Sequence, residues 1–376
     1  MLVDEAMGAF HKIYGFYPKT VASWLLDTVT VAYLKEKYDV AAVAICRDQT
    51  NTDAYTLVGG YFNQAYYPSK YNVFTPAQNA ENAIDVPVFR LLGPDPIHNY
   101  DSTKYHVNVQ AGSCCTLEPV WYTGKTPEVV DWFFETFYQN EDMGFSYSQI
   151  GQENSFGQYD DLITPLRMQI EKLKAYQNVQ FMTMEEAGRW FKETYHETPV
   201  TSVVALSDWN SDKIQSVYYD CKNYMANLFR FGEKVFIRCM YRFDETVPEH
   251  YLDTPCTTWD ATYENLPLVD TLLWEDDDGI LIDDNGAEFD VKREDDEKLT
   301  VFWNNCEVTF SPDGVCIKGA TPTWNLAGNK AGVRVDGNKI LYSYNGNAYA
   351  MTVTEGSVKQ DGETVTFTGN RIFLEV

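Results

Sequence analysis

The hydrophobic period of this chain changes once, and that change limits what it can fold into. Up to about residue 196, short apolar runs alternate with stretches of helical spacing. Leu2, Met7, Phe10 and Ile13 mark a helix over 2–14, which Gly15 and Pro18 close. Thr20–Leu26 reads as a strand ending at Asp27, Thr28–Tyr38 as a helix, and Val40–Cys46 as a buried strand ending at Arg47 and Asp48. Strands at Val86–Leu92, Ser113–Pro119, Phe145 and Val179–Met182 continue the series. Helices over Thr126–Gln139, Asp160–Tyr176 and Met184–Tyr195 intervene. About six strands alternating with helices imply a parallel sheet with helices outside. The long aromatic excursion from about Gln49 to Asp85 reads as a functional loop.

From about Val200 the period shortens toward two, as in Val217-Tyr218-Tyr219. Residues 264–300 hold 14 acidic against 3 basic side chains, the composition of a solvated, turn-rich segment. Beyond Leu299, short alternating runs are separated by Asp313-Gly314, Gly328-Asn329, Asp336-Gly337, Asn345-Gly346 and Asp361-Gly362, which is hairpin chemistry. The expected architecture is a (β/α) barrel at 1–200, complete or incomplete. A β-rich transition at 201–263 and a C-terminal antiparallel β-sandwich at 264–376 follow it.

A net charge of −26 argues against nucleic acid and anionic membrane surfaces as partners, since both require a basic face. It is compatible with a neutral oligosaccharide or polysaccharide. The 26 Tyr, 21 Phe and 9 Trp make 15% of the chain. Aromatic faces pack against sugar C–H faces, although a heavily aromatic core explains part of that count. The eight cysteines form no CxxC pair and several lie in apolar runs, so they read as small buried hydrophobes. No signal peptide and no membrane-spanning apolar run stands out, and localisation stays open.

The richest polar segment is Phe145–Gly157. There an aromatic run leads into Gln152-Glu153-Asn154 between Gly151 and Gly157. A carboxylate between two amides past a strand end suits hydroxyl-rich ligands. Acidic residues recur at other expected strand ends: Asp27, Asp48, Asp95 and Glu118. Carboxylates converging from several strands are what glycoside hydrolysis needs, one protonated and one ionised. Glu153 is therefore the leading catalytic candidate, with a partner among those four. Trp24, Tyr61, Tyr66, Trp121 and Tyr122 suit a sugar-binding floor, and Gln152, Asn154 and His98 suit hydrogen bonds to sugar hydroxyls. Two rivals remain. One is a degenerate barrel that binds glycan without cleaving it. The other is a metal-dependent deacetylase. The five histidines include no HxxxH pair, which weakens the metal reading, and no cofactor or metal is expected.

Several segments together carry a resemblance: Tyr17–Trp24, Cys46–Tyr55, Gly59–Lys70, Phe89–Pro96 and Gln149–Ser155. Across about 1–245 the chain resembles uncharacterised proteins of gut Bacteroidetes provisionally described as glycoside hydrolases. The resemblance implies the glycoside hydrolase/deacetylase (β/α) barrel superfamily with a C-terminal β-sandwich. It brings no catalytic residues. It also implies an upstream region with the first barrel strand, because this chain opens on a helix. A functional residue on such a strand would then be missing.

Overall fold

The computed structural model describes residues 2–46, 49–52, 55–57, 59–62, 64–91, 96–97, 127–138, 143–148, 160–208, 213–258, 262–271, 274 and 278–376. Helix α1 (Leu2–Tyr14) leads to strand β1 (Thr20–Ala22), helix α2 (Thr28–Tyr38) and strand β2 (Ala42–Ile45). A hairpin of β3 (Gln49–Thr52) and β4 (Tyr55–Leu57) precedes β5 (Val88–Arg90). Strands β1, β2 and β5 form a parallel sheet in the order β1-β2-β5, with Thr20 opposite Ala42 and Val43 opposite Val88. The β1–α2–β2 unit exists because β2 is a fully buried apolar run and α2 is well capped. Asp27 accepts the Thr30 N–H at its start, and Asp39 ends it in the left-handed region (φ 51°). Helix α1 is fastened to α2 by one carboxylate. Asp4 accepts from the Tyr33 and Tyr38 hydroxyls and from Lys37, which holds its carboxyl well below the usual range.

Helices α3 (Pro127–Tyr138), α4 (Asp160–Ala175) and α5 (Met184–Thr194) follow. Helix α5 starts on a capping box between Thr183 and Glu186. It lies directly on β2, because a Cβ at Gly188 would stand 2.6 Å from the Ala41 carbonyl oxygen.

The rest of the chain is antiparallel. Strands β6 (Thr201–Ala205), β7 (Ile214–Asp220), β8 (Tyr224–Phe231) and β9 (Lys234–Arg242) form a meander. They continue into one curled sheet of 15 strands whose last strand in sequence, Thr364–Glu375, lies inside the sheet. The meander is buried on both faces. Val217, Tyr219, Ala226, Leu228, Val235 and Ile237 enter the core shared with the C-terminal strands. Tyr218, Met225, Phe229, Phe236 and Tyr241 enter the core shared with α2, α3, β2 and β5. Pairing puts Val217 opposite Leu228 and Leu228 opposite Ile237, so each face is continuous across strands. Each such side chain contributes about 1.5–3 kcal/mol of burial.

A bulge in this meander adds a charge to the interior. Asn227 pairs with Cys239 and Leu228 with Ile237, which leaves Arg238 as the extra residue. Its guanidinium lies 4.0 Å above the Phe229 ring and donates to Asn227 Oδ1 (2.8 Å), the Ile97 carbonyl and the Tyr218 hydroxyl.

The expected (β/α) barrel is not formed. Among the described residues there are five helices and only three parallel strands, and the body of the protein is the curled antiparallel sheet. The expected helices 2–14, 28–38, 126–139, 160–176 and 184–195 all form, within a residue or so of those bounds. The expected strands at Phe145 and Val179–Met182 do not. Phe145 is aromatic for packing rather than pairing, with ring centroids 5.1 Å from Trp190 and 5.9 Å from Phe191. The C-terminal strands do not make a sheet of their own. They join the meander through a strand at Ile280–Asp283 that pairs with β9. Four of the five expected turns close hairpins, and Gly328-Asn329 is a turn without one. Among the described cysteines, five are buried and Cys256 is exposed.

Two glycines in helices should respond oppositely to one added methyl group. Gly188→Ala must push α5 off β2, and we expect a loss of about 1–3 kcal/mol by denaturant unfolding. Gly8 has no atom within 4 Å of its would-be Cβ. Gly8→Ala should therefore gain up to about 1 kcal/mol in the same measurement.

Candidate functional site

Strand β1 leaves the parallel sheet through Trp24, Leu25 and Leu26 and delivers Asp27 to the start of α2. Asp27 Oδ1 accepts the Thr30 N–H (2.6 Å) and Oδ2 accepts the Thr30 hydroxyl (2.9 Å). The next residue, Thr28, donates its N–H to Glu249 Oε1 (2.7 Å), and Val73 donates its N–H to Glu249 Oε2 (2.9 Å). One buried carboxylate thus joins the first turn of α2 to the aromatic loop between β4 and β5. A helix N-terminus is a favourable place for such a charge. Nearby, Glu245 holds the same loop by accepting from the Gln78 N–H (2.7 Å) and from the side chains of Asn79 and Asn82.

The two acids bracket a segment that bends into a cleft of about 320 Å³, at the lower end of small-molecule sites. Asp27, Glu249 and Glu264 line it, with Phe74, Tyr251 and Tyr263 as aromatic wall. The Phe74 and Tyr263 rings meet edge to face, with centroids 5.0 Å apart and planes at 87°. A small adjoining cavity of about 20 Å³, little more than a water's worth, shares Asn72, Phe74, Tyr263 and Glu264 and is also lined by Arg242 and Asp244.

Burial raises the Glu249 carboxyl to about 7, against the pull of its two N–H bonds, and the charges of Asp27 and Glu264 push the same way. Burial also raises Glu264, which accepts the His250 N–H at 2.7 Å and has its other oxygen 3.7 Å from His250 Nδ1. Three carboxylates with different surroundings therefore face one groove.

Of the residues expected from sequence, Asp27 lines this cleft. Trp24 stands behind it, half-buried in a small cluster with Leu25, Cys46 and Tyr263. Tyr61 and Tyr66, expected on a sugar-binding floor, are wholly buried in the core instead. Tyr61 donates to the Pro199 carbonyl (2.7 Å) and Tyr66 to the Val73 carbonyl (2.6 Å). The remaining expected residues lie outside the described residues. They are Asp48, Asp95, His98, Glu118, Trp121, Tyr122, Gln152, Glu153 and Asn154. Sequence reasoning missed Glu249, Glu264, Phe74 and Tyr263. No motif marks them, and they meet Asp27 only through the return of the chain after β9. Among the described residues, no group of three His, Cys, Asp or Glu is placed to hold a metal ion. Nor is any helix among them long and apolar enough to cross a membrane.

Residues 3–203 match a domain family of unknown function that has a solved structure (DUF3863). No curated protein matches the sequence. A crystal structure from Parabacteroides distasonis, of a protein provisionally described as a glycoside hydrolase/deacetylase, is similar with a TM-score of 0.54 and 17% identity. The similarity covers 64% of this chain and 60% of that one. At that identity the likeness concerns the fold.

Glu249 makes stability depend on pH in a direction opposite to an ordinary ion-paired acid. Its unfolded carboxyl titrates near 4.5 and its folded one at about 7. Between those values the folded state keeps a proton that the unfolded state has lost. The stability linked to it is complete below about 4.5 and falls away as the pH rises through 7. Glu249→Gln should flatten that fall. It should also cost about 1–3 kcal/mol at pH 5, because the amide nitrogen leaves one buried N–H without an acceptor. Urea unfolding of both proteins at pH 5, 6, 7 and 8 reads both effects.

Proposed function

Since this chain belongs to the DUF3863 family, whose activity is undefined, we propose its function from the cleft: it binds a neutral oligosaccharide there and hydrolyses it by carboxylate acid/base chemistry. The observation that carries this reading is the cleft lined by three carboxylates and an aromatic wall. Sugars offer hydroxyls to carboxylates and C–H faces to rings. In this reading Asp27, at a helix N-terminus, acts as nucleophile or base. Glu264, raised by burial, holds the proton for the leaving oxygen. Glu249 positions both, since both its oxygens are held by fixed backbone N–H groups, whereas Asp27 Oδ2 is held only by the rotatable Thr30 hydroxyl. Glu153, Asp48, Asp95 and Glu118 remain further candidates for the acid/base pair, with Gln152, Asn154, His98, Trp121 and Tyr122 for substrate contacts. The similarity to a protein described as a glycoside hydrolase/deacetylase supports a carbohydrate-directed role in general terms.

One observation favours a second reading, in which the groove binds glycan without cleaving it. Asp27, Glu249 and Glu264 each accept a backbone N–H, which is what structural carboxylates do.

The two readings separate on a panel of neutral oligosaccharides scored for retention and for released reducing ends. Under the hydrolytic reading, Asp27→Asn and Glu264→Gln lower release by at least about 10²-fold while retention persists. Glu153→Gln tests the remaining candidate in the same assay. Asn still caps α2, so Asp27→Asn should fold normally. Retention without release in the unmutated protein selects the binding reading. Neither retention nor release across the panel overturns both.

A further inference from the structure

Helix α1 has one broad apolar face, and the fold covers part of it. Val3 and Met7 face the core under α2, while Phe10 packs on Tyr14 and Phe16. Leu2, Ala6, Ala9 and Ile13 recur at helical spacing about 100° further round, and all four are exposed. Leu2 is 84% exposed and Ile13 73%. A solvated helix normally carries charge on that side. Here the two charges that remain exposed, Glu5 and Lys12, stand together on one flank of the stripe.

We propose that this stripe is the contact through which two copies of the chain associate, with their α1 helices antiparallel. The pattern is self-complementary about its midpoint. Reversing the helix brings Leu2 opposite Ile13 of the second copy and Ala6 opposite Ala9, so large ends meet large ends and the small centre admits a close approach. A two-fold axis normal to the helix pair keeps each flank on its own side. It therefore sets Glu5 of each copy against Lys12 of the other, in two equivalent ion pairs. Antiparallel packing also opposes the two helix dipoles. Parallel packing would put the two charged flanks on opposite sides of the seam and leave both ion pairs unmade. Charge complementarity thus selects both the partner and the orientation. The contact is independent of the glycan groove.

A helix of this length spans about 20 Å, so the interface falls below the standard size and association should be weak. We expect sedimentation velocity of the full chain to show a reversible monomer–dimer equilibrium with a Kd on the order of 10–100 µM. Ile13→Glu places a charge at each end of the stripe and should leave only monomer. Glu5→Lys converts both pairs to repulsions and should weaken the dimer about tenfold. The double variant Glu5→Lys, Lys12→Glu rebuilds the pairs in reverse and should recover the affinity to within about threefold. Circular dichroism of each variant checks that α1 stays helical. A chain that stays monomeric at roughly 200 µM overturns the proposal. So does a dimer indifferent to Ile13→Glu, or a double variant as weak as Glu5→Lys alone.

Discussion

The meander β6–β9 has no solvent face, and most of the fold depends on that. A strand pair normally offers one face to a core and one to water. Here odd and even positions must both be apolar, because one face meets the parallel layer and the other meets the C-terminal strands. Several of the polar exceptions on these strands find partners within the protein. Asn227 donates to Ser216, Arg238 to Asn227 and Tyr218, and Asp220 accepts the Phe62 N–H. Leaving any such group unpaired would cost about 1–3 kcal/mol, comparable to burying a leucine. The same sheet that sets the two cores also sets where the chain after β9 returns to α2, and that return makes the groove.

Carboxylates act as fasteners along this return path. Glu245 and Glu249 come from the segment just past β9, and both accept backbone N–H groups of the aromatic loop. That loop has little regular structure, so its backbone donors need other acceptors. Two buried acids meet that need. They also hold Asn72 and Phe74 at the groove wall. The width of the groove is therefore set by bonds that also hold the fold together.

The local signals in the sequence were legible and the long-range ones were not. Helix limits follow from caps and spacing over a few residues, as at Asp27 and Thr183, and they were readable. Hairpins follow from two-residue turns, as at Asn345-Gly346, and these were readable too. The barrel expectation came from adding strands at Phe145, which packs on α5, and at Val179–Met182, where Phe181 and Met182 are exposed. A buried strand and a buried extended segment share the same composition, and only a hydrogen-bonding partner distinguishes them. The curled sheet was hidden for a related reason. Nothing local tells an antiparallel run whether it will start a new layer or extend an old one. Of the groove, Asp27 was visible as a strand-end acid. Glu249 and Glu264 were not, because their meaning depends on a contact with α2 more than 200 residues away in sequence.

The charge of the groove bears on what it can accept. Its described lining carries Asp27, Glu249 and Glu264 near the aromatic wall, and Arg242 in the adjoining part lies 3.5 Å from Asp244. That arginine is thus already matched. A uronate or sulfated sugar would bring another anion beside these carboxylates. At an effective dielectric constant near 20, two like charges about 4 Å apart repel by about 4 kcal/mol, which is nearly a thousandfold in affinity. A neutral sugar meets no such penalty, and its hydroxyls donate to acids that lack donors of their own. The acidity spread over the whole chain, net −26, acts in the same direction at longer range, and salt weakens that part first. If the cleft takes a glycan as proposed, discrimination against anionic glycans follows from the lining itself.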